Sequence, residues 1–398
     1  MHSVKGDYLK RLTEIQPLPS VRIGKTIEGT SPPSVFIGSW NYPKVYAGPM
    51  ISPAHGDIRI MDTPESWIPD GLSQDEIIRY RMSLVRGKRL WDVRDLSGRF
   101  TEQLRDIALS SVSLESEAVF SDTPKGGYAG EQHTPFGPSG YLECLETSSA
   151  GWVGSLEKVY YDTDLPARDA IIDLHSGGFA PSLVQKALSA GTIGREKDRR
   201  LVPTRWAITA FDTVIGNHLL SKIRNCEVVD AYYVHEFSSL HNHYAVLLMP
   251  VSWEFEWIEA FLHVDCNEEV IFSDHEGNRG KRGYSSVGGC YYSSKMAVLE
   301  ALSRKAKQAG VVILREARKG YIPMGVFNVR ENVRHAMAQD PIVFEDLTSA
   351  LNHISHTFQL PVPRFIKEST LLVRFLKERQ MRLSDFNPEA ETTTGDTS

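Results

Sequence analysis

Arg279, Lys281 and Arg282 stand just ahead of Gly288-Gly289, which opens a helix-forming run, and no arrangement in the chain is better suited to hold an anion. Paired glycines let the backbone approach a ligand closely, and the free N–H groups at a helix N-terminus favour phosphate. The competing reading is a plain tight turn into the helix. It is not a P-loop, because no Lys-Ser/Thr follows the second glycine. A second basic stretch runs from Gly194 to Arg200 and on to Arg205-Trp206. Either it is a solvated loop with Trp206 as the first core residue of a helix, or Arg195, Arg199 and Arg205 clamp phosphate while Trp206 stacks on a base. Asp173 and His175 precede Gly177-Gly178. Read as the end of a strand, this segment puts both side chains on one face, where a carboxylate orienting an imidazole serves as a general base or as a buried hydrogen-bonded pair.

Metal chemistry has less to draw on. His241 and His243 share a face if they lie on a strand, with His235 across a hairpin, but no third ligand is fixed by spacing. Asp57, Asp62 and Glu65 form an acidic group that either binds a divalent cation or is solvated. The four cysteines are scattered and form no Cys-x-x-Cys, which argues against a zinc ribbon and against a disulfide framework. We assign no metal ligands; the cofactor is unknown, with a divalent cation left open.

Gln380, Leu383 and Phe386 form a Gln-x-x-Leu-x-x-Phe run ahead of an acidic, Thr/Ser-rich tail. One helical turn puts Leu383 and Phe386 on the same side, and the Gln380 amide offers donors and an acceptor. This looks like the peptide by which DNA-processing proteins hook onto a sliding clamp; the alternative is that Leu383 and Phe386 pin the last helix to the core. Gln74-x-x-Ile77-x-x-Tyr80 and Gln359-x-x-Val362-x-x-Phe365 nearly repeat the pattern, and both are expected to be structural.

The elements that must position these groups follow from apolar spacing. Helices are expected near 7–14, 74–86 (opened by a Ser73/Glu76 capping box), 100–112, 181–190, 205–224, 289–308, 328–338 and 364–381. Strands are expected at 35–37, 45–46, 58–61, 159–161, 170–174 and 311–314, with a hairpin over 228–235 and 243–248. Trp253 to Trp257 alternates with period two and reads as half-buried strand. Residues 121–140 are a long Gly/Pro-rich loop. The fold class is mixed α/β, with α+β as the alternative and the topology open. The chain has 398 residues, 41% hydrophobic and 24% charged, with a net charge of −6, so a basic coat for nucleic acid is excluded and DNA contact must be local or indirect. No stretch is long and apolar enough for a membrane span, and the N-terminus has no apolar signal, so a cytoplasmic protein is expected.

Several stretches together resemble the archaeal Nre family of DNA repair proteins: residues 29–38, 42–49, 62–67 and 202–210, then Gly288-Gly289, Gly320-Tyr321 and the C-terminal box. The resemblance implies an archaeal source, a part in DNA repair and a clamp-binding peptide. It divides the chain into an arm at 1–34, an N-terminal domain at 35–275, a C-terminal domain at 276–379 and a clamp-binding tail at 380–398. Some relatives begin with a cysteine cluster, which this chain lacks, and Asn387 follows Phe386 where the strongest clamp peptides carry a second aromatic. The expectation is a repair factor recruited by the sliding clamp (PCNA), touching DNA weakly or through the clamp, with a phosphate or nucleotide site at Arg279–Gly289 and Arg205–Trp206. The alternative is a phosphoesterase or nucleotide hydrolase using Asp173 and His175.

Overall fold

The computed structural model describes residues 4–15, 21, 23–127, 133–264, 268–281 and 283–384. The first half of the chain gives α1 (Val4–Ile15), β1 (Thr26–Ser31), β2 (Val35–Ile37), β3 (Lys44–Ile51), α2 (Pro64–Trp67), α3 (Gln74–Met82), β4 (Val85–Asp92), α4 (Arg99–Leu109), β5 (Leu114–Phe120) and β6 (Ser139–Thr147). The six strands form one sheet in the order β1-β5-β6-β4-β3-β2. β1 lies within the stretch read as an arm and pairs with β5. One face of this sheet is apolar: Ile37, Val45, Ala47, Val85 and Leu142 pack with Leu104 and Ile107 of α4.

A helical layer follows: α5 (Gly154–Tyr161), α6 (Ala167–Ser176), α7 (Pro181–Ser189) and α8 (Thr204–Ile223). Two stretches expected as strands, 159–161 and 170–174, are thus helix. The physical reason is their spacing: Leu156 and Val159 are three residues apart, as are Ile171 and Leu174, and all four are buried on the helical faces turned to the core. Likewise 58–61 is a strand only in expectation; Arg59–Asp62 is a 3₁₀ turn.

The second sheet has the order β11-β10-β13-β9-β8-β14. Its parts, after the short β7 (Glu227–Val228), are β8 (Tyr232–Ser239), β9 (Asn242–Met249), β10 (Glu254–Leu262) and β11 (Glu269–Glu276). Then come α9 (Gly289–Arg304), the short β12 (Lys307–Gln308), β13 (Gly310–Ala317), α10 (Phe327–Ala338) and β14 (Ile342–Phe344). The chain closes with α11 (Leu347–Thr357), α12 (Val362–Glu368) and α13 (Thr370–Ser384). The fold is mixed α/β, with parallel and antiparallel pairs in each six-stranded sheet. Helices cover both faces of the second sheet: α8, α9 and α10 on one, α11, α12 and α13 on the other. β10 is therefore buried on both sides rather than half-buried. Its inward Glu256 is satisfied because its carboxylate accepts from the backbone N–H groups of Thr370 (2.6 Å) and Leu371 (3.1 Å), at the start of α13. The helix expected at 364–381 is broken there into α12 and α13.

The contacts that join the halves include an apolar cluster and a buried amide. Trp67, Ile77, Ile78 and Met82 pack on Met324 and Phe327. The buried Gln74 amide donates to Gly320 O (2.8 Å) and accepts from Ile322 N–H (3.0 Å). Gln74 and Ile77 are thus structural, as are Val362 and Phe365, both buried in the core.

Candidate nucleic-acid interface

The outer face of the first sheet is built by simple alternation. Val45 and Ala47 point inward, so Tyr46 points out; Val85 points inward, so Arg86 and Lys88 point out. Register places Lys88 beside Tyr141 and Tyr46 beside Leu90. The Lys88 ammonium lies 4.4 Å from the Tyr141 ring centroid. The two tyrosine hydroxyls are 3.5 Å apart. Trp40, 72% exposed, stacks nearly parallel on Tyr46 at 6.3 Å. The result is a row of exposed rings interleaved with cations, the surface on which unpaired bases stack.

At one end this face deepens into a cleft of about 300 Å³, lined by Phe36, Trp40, Tyr46, Arg86, His133 and Arg205. Arg86 sits with its guanidinium carbon 4.0 Å from the Phe36 ring centroid and donates to Tyr46 O at 3.0 Å. Burial pushes its pKa down to about 10. Among the described residues no carboxylate forms an ion pair with it, and its Nε has no hydrogen-bond partner. The start of α8 delivers the two residues singled out in the sequence. Arg205 lines the cleft, and Trp206 is exposed, 5.1 Å from the Tyr42 ring, rather than a core residue. Arg199, by contrast, is spent on the carbonyls of Tyr160 (2.8 Å) and Asp162 (2.9 Å).

Behind the cleft lies a cavity of about 60 Å³ between the two halves, and Phe36 and His133 line both spaces. Asp62 is buried there, ion-paired to Arg81 and to Lys186 (2.7 Å). Burial would raise the Asp62 carboxyl, but these two cations outweigh it and hold the pKa below the usual range. Burial drives the His133 imidazole down to about 4, so it is neutral at physiological pH. The acidic group read from the sequence is therefore dispersed. Asp57 is paired with Arg59, Asp62 with Arg81 and Lys186, and Glu65 accepts from the Ser182 N–H and hydroxyl.

Arg279 and Lys281 line a separate cavity of about 610 Å³ with Arg224, Lys295, Tyr284 and Tyr292. Two of its cations are already matched: Lys281 to Asp274 and Lys295 to Glu276, each at 2.5 Å. Arg282 lies outside the described residues. Gly288 and Gly289 do not line this cavity. They start α9 against α1, where the buried Lys5 donates to Val287 O (3.1 Å) and pairs with Glu259. Gly289 is needed for packing, because a Cβ there would meet Val326 Cγ1 at 2.7 Å.

Asp173 and His175 do not form a pair. They lie on α6 rather than a strand, two residues apart and so on different faces. His175 Nε2 instead meets Glu300 Oε1 at 2.8 Å, at the edge of a cavity of about 580 Å³. Arg334 also binds Glu300, and together with His175 it holds that carboxyl down at about 2 against the effect of burial. The histidines of the hairpin are dispersed too: His235 Nδ1 faces Gln339 O, His243 Nδ1 faces the Ser238 hydroxyl, and His241 sits in the turn at φ 58°. Among the described residues no group of three His, Cys, Asp or Glu is placed to hold a metal ion, and no helix is long and apolar enough to cross a membrane. The backbone of α13 carries Gln380 and Leu383 as helix; Phe386 lies outside the described residues.

The sequence reading missed Phe36, Trp40, Tyr46, Arg86, Lys88 and Tyr141. The alternation around Tyr46 and Arg86 was visible, but the register that gathers four strands into one surface was not.

Residues 5–265 match the family model described as archaeal Nre, N-terminal, and residues 276–386 the one described as archaeal Nre, C-terminal. The chain is similar to a protein named DNA repair protein NreB from Archaeoglobus fulgidus, 36% identical over 375 residues, covering 92% of this chain and 94% of the relative. It is also similar to two proteins named DNA repair protein NreA. The one from A. fulgidus is 34% identical, covering 85% of this chain and 87% of the relative; the one from Haloferax volcanii is 29% identical, covering 87% of each. No solved structure matches the chain.

Proposed function

The chain belongs to the archaeal Nre family, and from that premise we propose that it acts in DNA repair by holding DNA on the outer face of its first sheet while the sliding clamp, PCNA, recruits it through Gln380, Leu383 and Phe386. The observation that carries the DNA contact is Arg86: a guanidinium without an acid partner among the described residues, in a cleft walled by aromatic rings. A partly buried cation left uncompensated is costly unless an anion completes it, and rings beside it suit a base attached to that anion. The names of the relatives support the repair role. Two features support the tail reading: the C-terminal family region runs through Phe386, and the chain beyond it is acidic and polar. With a net charge of −6, few phosphates are contacted at once, so binding to plain duplex is weak and the clamp supplies local concentration.

The test is anisotropy of labelled DNA at two salt concentrations with the parent protein and with Trp40→Ala/Lys88→Ala. Binding weakened about tenfold or more in the variant supports the interface; equal binding refutes it. For the tail, calorimetry with purified clamp is expected to lose all binding on deletion of 380–398 and in Leu383→Ala/Phe386→Ala. Undiminished binding would return those residues to a structural role. A second reading, a phosphoesterase, rests on the His175–Glu300 pair facing a cavity that Arg304 and Arg334 also line. Turnover of phosphodiesters that disappears in His175→Gln would establish it.

A further inference from the structure

The cavity behind the cleft carries charge that its own walls do not cancel. Asp62 is the one carboxylate among the residues lining it, and it faces both Arg81 and Lys186. One negative charge against two positive charges leaves an excess cation in a buried space. Arg330 also lines the cavity, but its charge is matched by Asp212 (2.6 and 2.8 Å). Unused polar atoms ring the same space. Gln185 Nε2, Ser189 Oγ and Arg330 Nε are all buried and have no hydrogen-bond partner among the described residues. Gln185 is 7% exposed, Ser189 1% and Arg330 2%. Buried donors are rarely left unmade, since each has given up its hydrogen bond to water for nothing in return. Three of them around an uncompensated cation describe the complement of an oxyanion.

Size and position narrow the choice. A cavity of about 60 Å³ holds roughly four water-sized groups, which is room for one phosphate and none for a base. The cavity and the aromatic cleft share Phe36 and His133, and Arg86 lies 4.0 Å from the centroid of that same Phe36 ring. A base stacked in the cleft therefore has, one ring away, a cationic chamber sized for its phosphate. A phosphate inside a continuous strand has chain leaving on both sides, for which a space of about 60 Å³ leaves no room. A terminal phosphate can enter it.

We propose that the cavity lined by Lys186, Arg81, Gln185, Ser189 and Arg330 is a phosphate site that takes the terminal phosphate of a single-stranded nucleic acid whose last base lies in the Phe36–Trp40–Arg86 cleft. This rests on the reading of the outer face as a nucleic-acid surface and adds the substrate class: strand ends bearing phosphate.

The experiment uses the full chain and short single strands with 5′-phosphate, 3′-phosphate or hydroxyl at both ends, read by anisotropy. Inorganic phosphate and sulfate are tested in parallel by thermal shift. The expected result is a preference of at least tenfold for one phosphorylated end over the hydroxyl-ended strand. In Lys186→Met that ratio falls to about one. This variant leaves Asp62 and Arg81 as a matched pair, so it is suited to fold; Gln185→Leu, which keeps every charge, is expected to lower the same ratio. Equal affinity for all three strands overturns the proposal. Stabilisation by inorganic phosphate that Lys186→Met abolishes, without any end preference, also overturns the strand-end assignment and leaves a free-phosphate site. Failure of every strand to bind refutes the outer-face reading and with it the strand end, while the thermal shift reports separately on the cavity.

Discussion

Replacing Arg86 with Met separates a binding residue from a structural one, because the two roles predict opposite changes in stability. Burial brings Arg86 well below the ordinary arginine range, to about 10. The difference is about 3 kcal/mol of disfavoured charge in the folded protein, part of which is screened by solvent at the cleft mouth. Met keeps the apolar stem against Phe36. It loses the bond to Tyr46 O and the contact with the ring face, at about 1 kcal/mol each. Tyr46 O is not orphaned, since it still accepts from Gly38 N–H at 2.8 Å. The variant is therefore expected to be as stable as the parent or about 1 kcal/mol more stable, with Tm unchanged or raised by about 2 °C. The sign has a pH signature. The folded-state pKa is depressed, so the parent is penalised below about pH 10 and recovers as pH rises through that value, when folded Arg86 gives up its proton first. DNA binding moves the other way: the loss of one phosphate contact lowers the salt slope by about 1 and affinity by about tenfold or more. Thermal denaturation and anisotropy on the same samples decide it. A Tm lowered by several degrees with DNA binding intact would refute the reasoning and make Arg86 part of the scaffold.

Gly289→Ala is expected to cost about 1–3 kcal/mol by overpacking on Val326, and Val326→Ala is expected to recover most of it in the double variant; urea unfolding of the set reads the coupling. His133 has a folded pKa of about 4, so stability is expected to fall as pH drops from about 6.5 to 4 by up to about 3 kcal/mol, and His133→Gln flattens that slope in pH-dependent melting curves. Glu331 runs the other way. Burial first, then the charges of Glu65 and Glu300, raise it to about 7 against the pull of Arg334, so its contribution is lost as pH rises from about 4.5 through 7, and Glu331→Gln is expected to be more stable than the parent at pH 8. Gln74→Ala removes two bonds between the halves and is expected to cost about 2 kcal/mol in the same assay.

Local chemistry was legible where the cause was local. The Ser73/Glu76 capping box that opens α3 was visible as four residues, and it forms, with Ser73 N–H donating to Glu76 at 2.8 Å. The long apolar stripe of α8 was equally plain. The segments at 159–161 and 170–174 misled because each is a short apolar run, and short runs do not distinguish strand from helix. The Asp173–His175 pair was a consequence of that error, and the true partner of His175, Glu300, comes 125 residues later. The cleft was illegible for a different reason. Phe36, Tyr46, Arg86 and Tyr141 sit on four neighbouring strands, of which β4 and β6 pair in parallel although β5 lies between them in the chain, and Arg205 arrives from α8.

The docking of α1 bears on how the polypeptide comes off the ribosome. Lys5 is made long before the groups that receive its ammonium, Glu259, Val287 and Cys290, the last 285 positions further on. The second sheet sets the same delay, because β13 is inserted between β9 and β10 and is synthesised after both. Until Ala317 has been made, β9 and β10 lack their shared neighbour and α1 lacks much of its seat against Phe261, Ala317 and Tyr321. The first sheet can close early, but the N-terminal helix must wait, exposed, for most of translation. A protein cut near residue 276 would hold the beginning of this lock without its end, so the two family regions are expected to be stable joined and to aggregate when expressed apart.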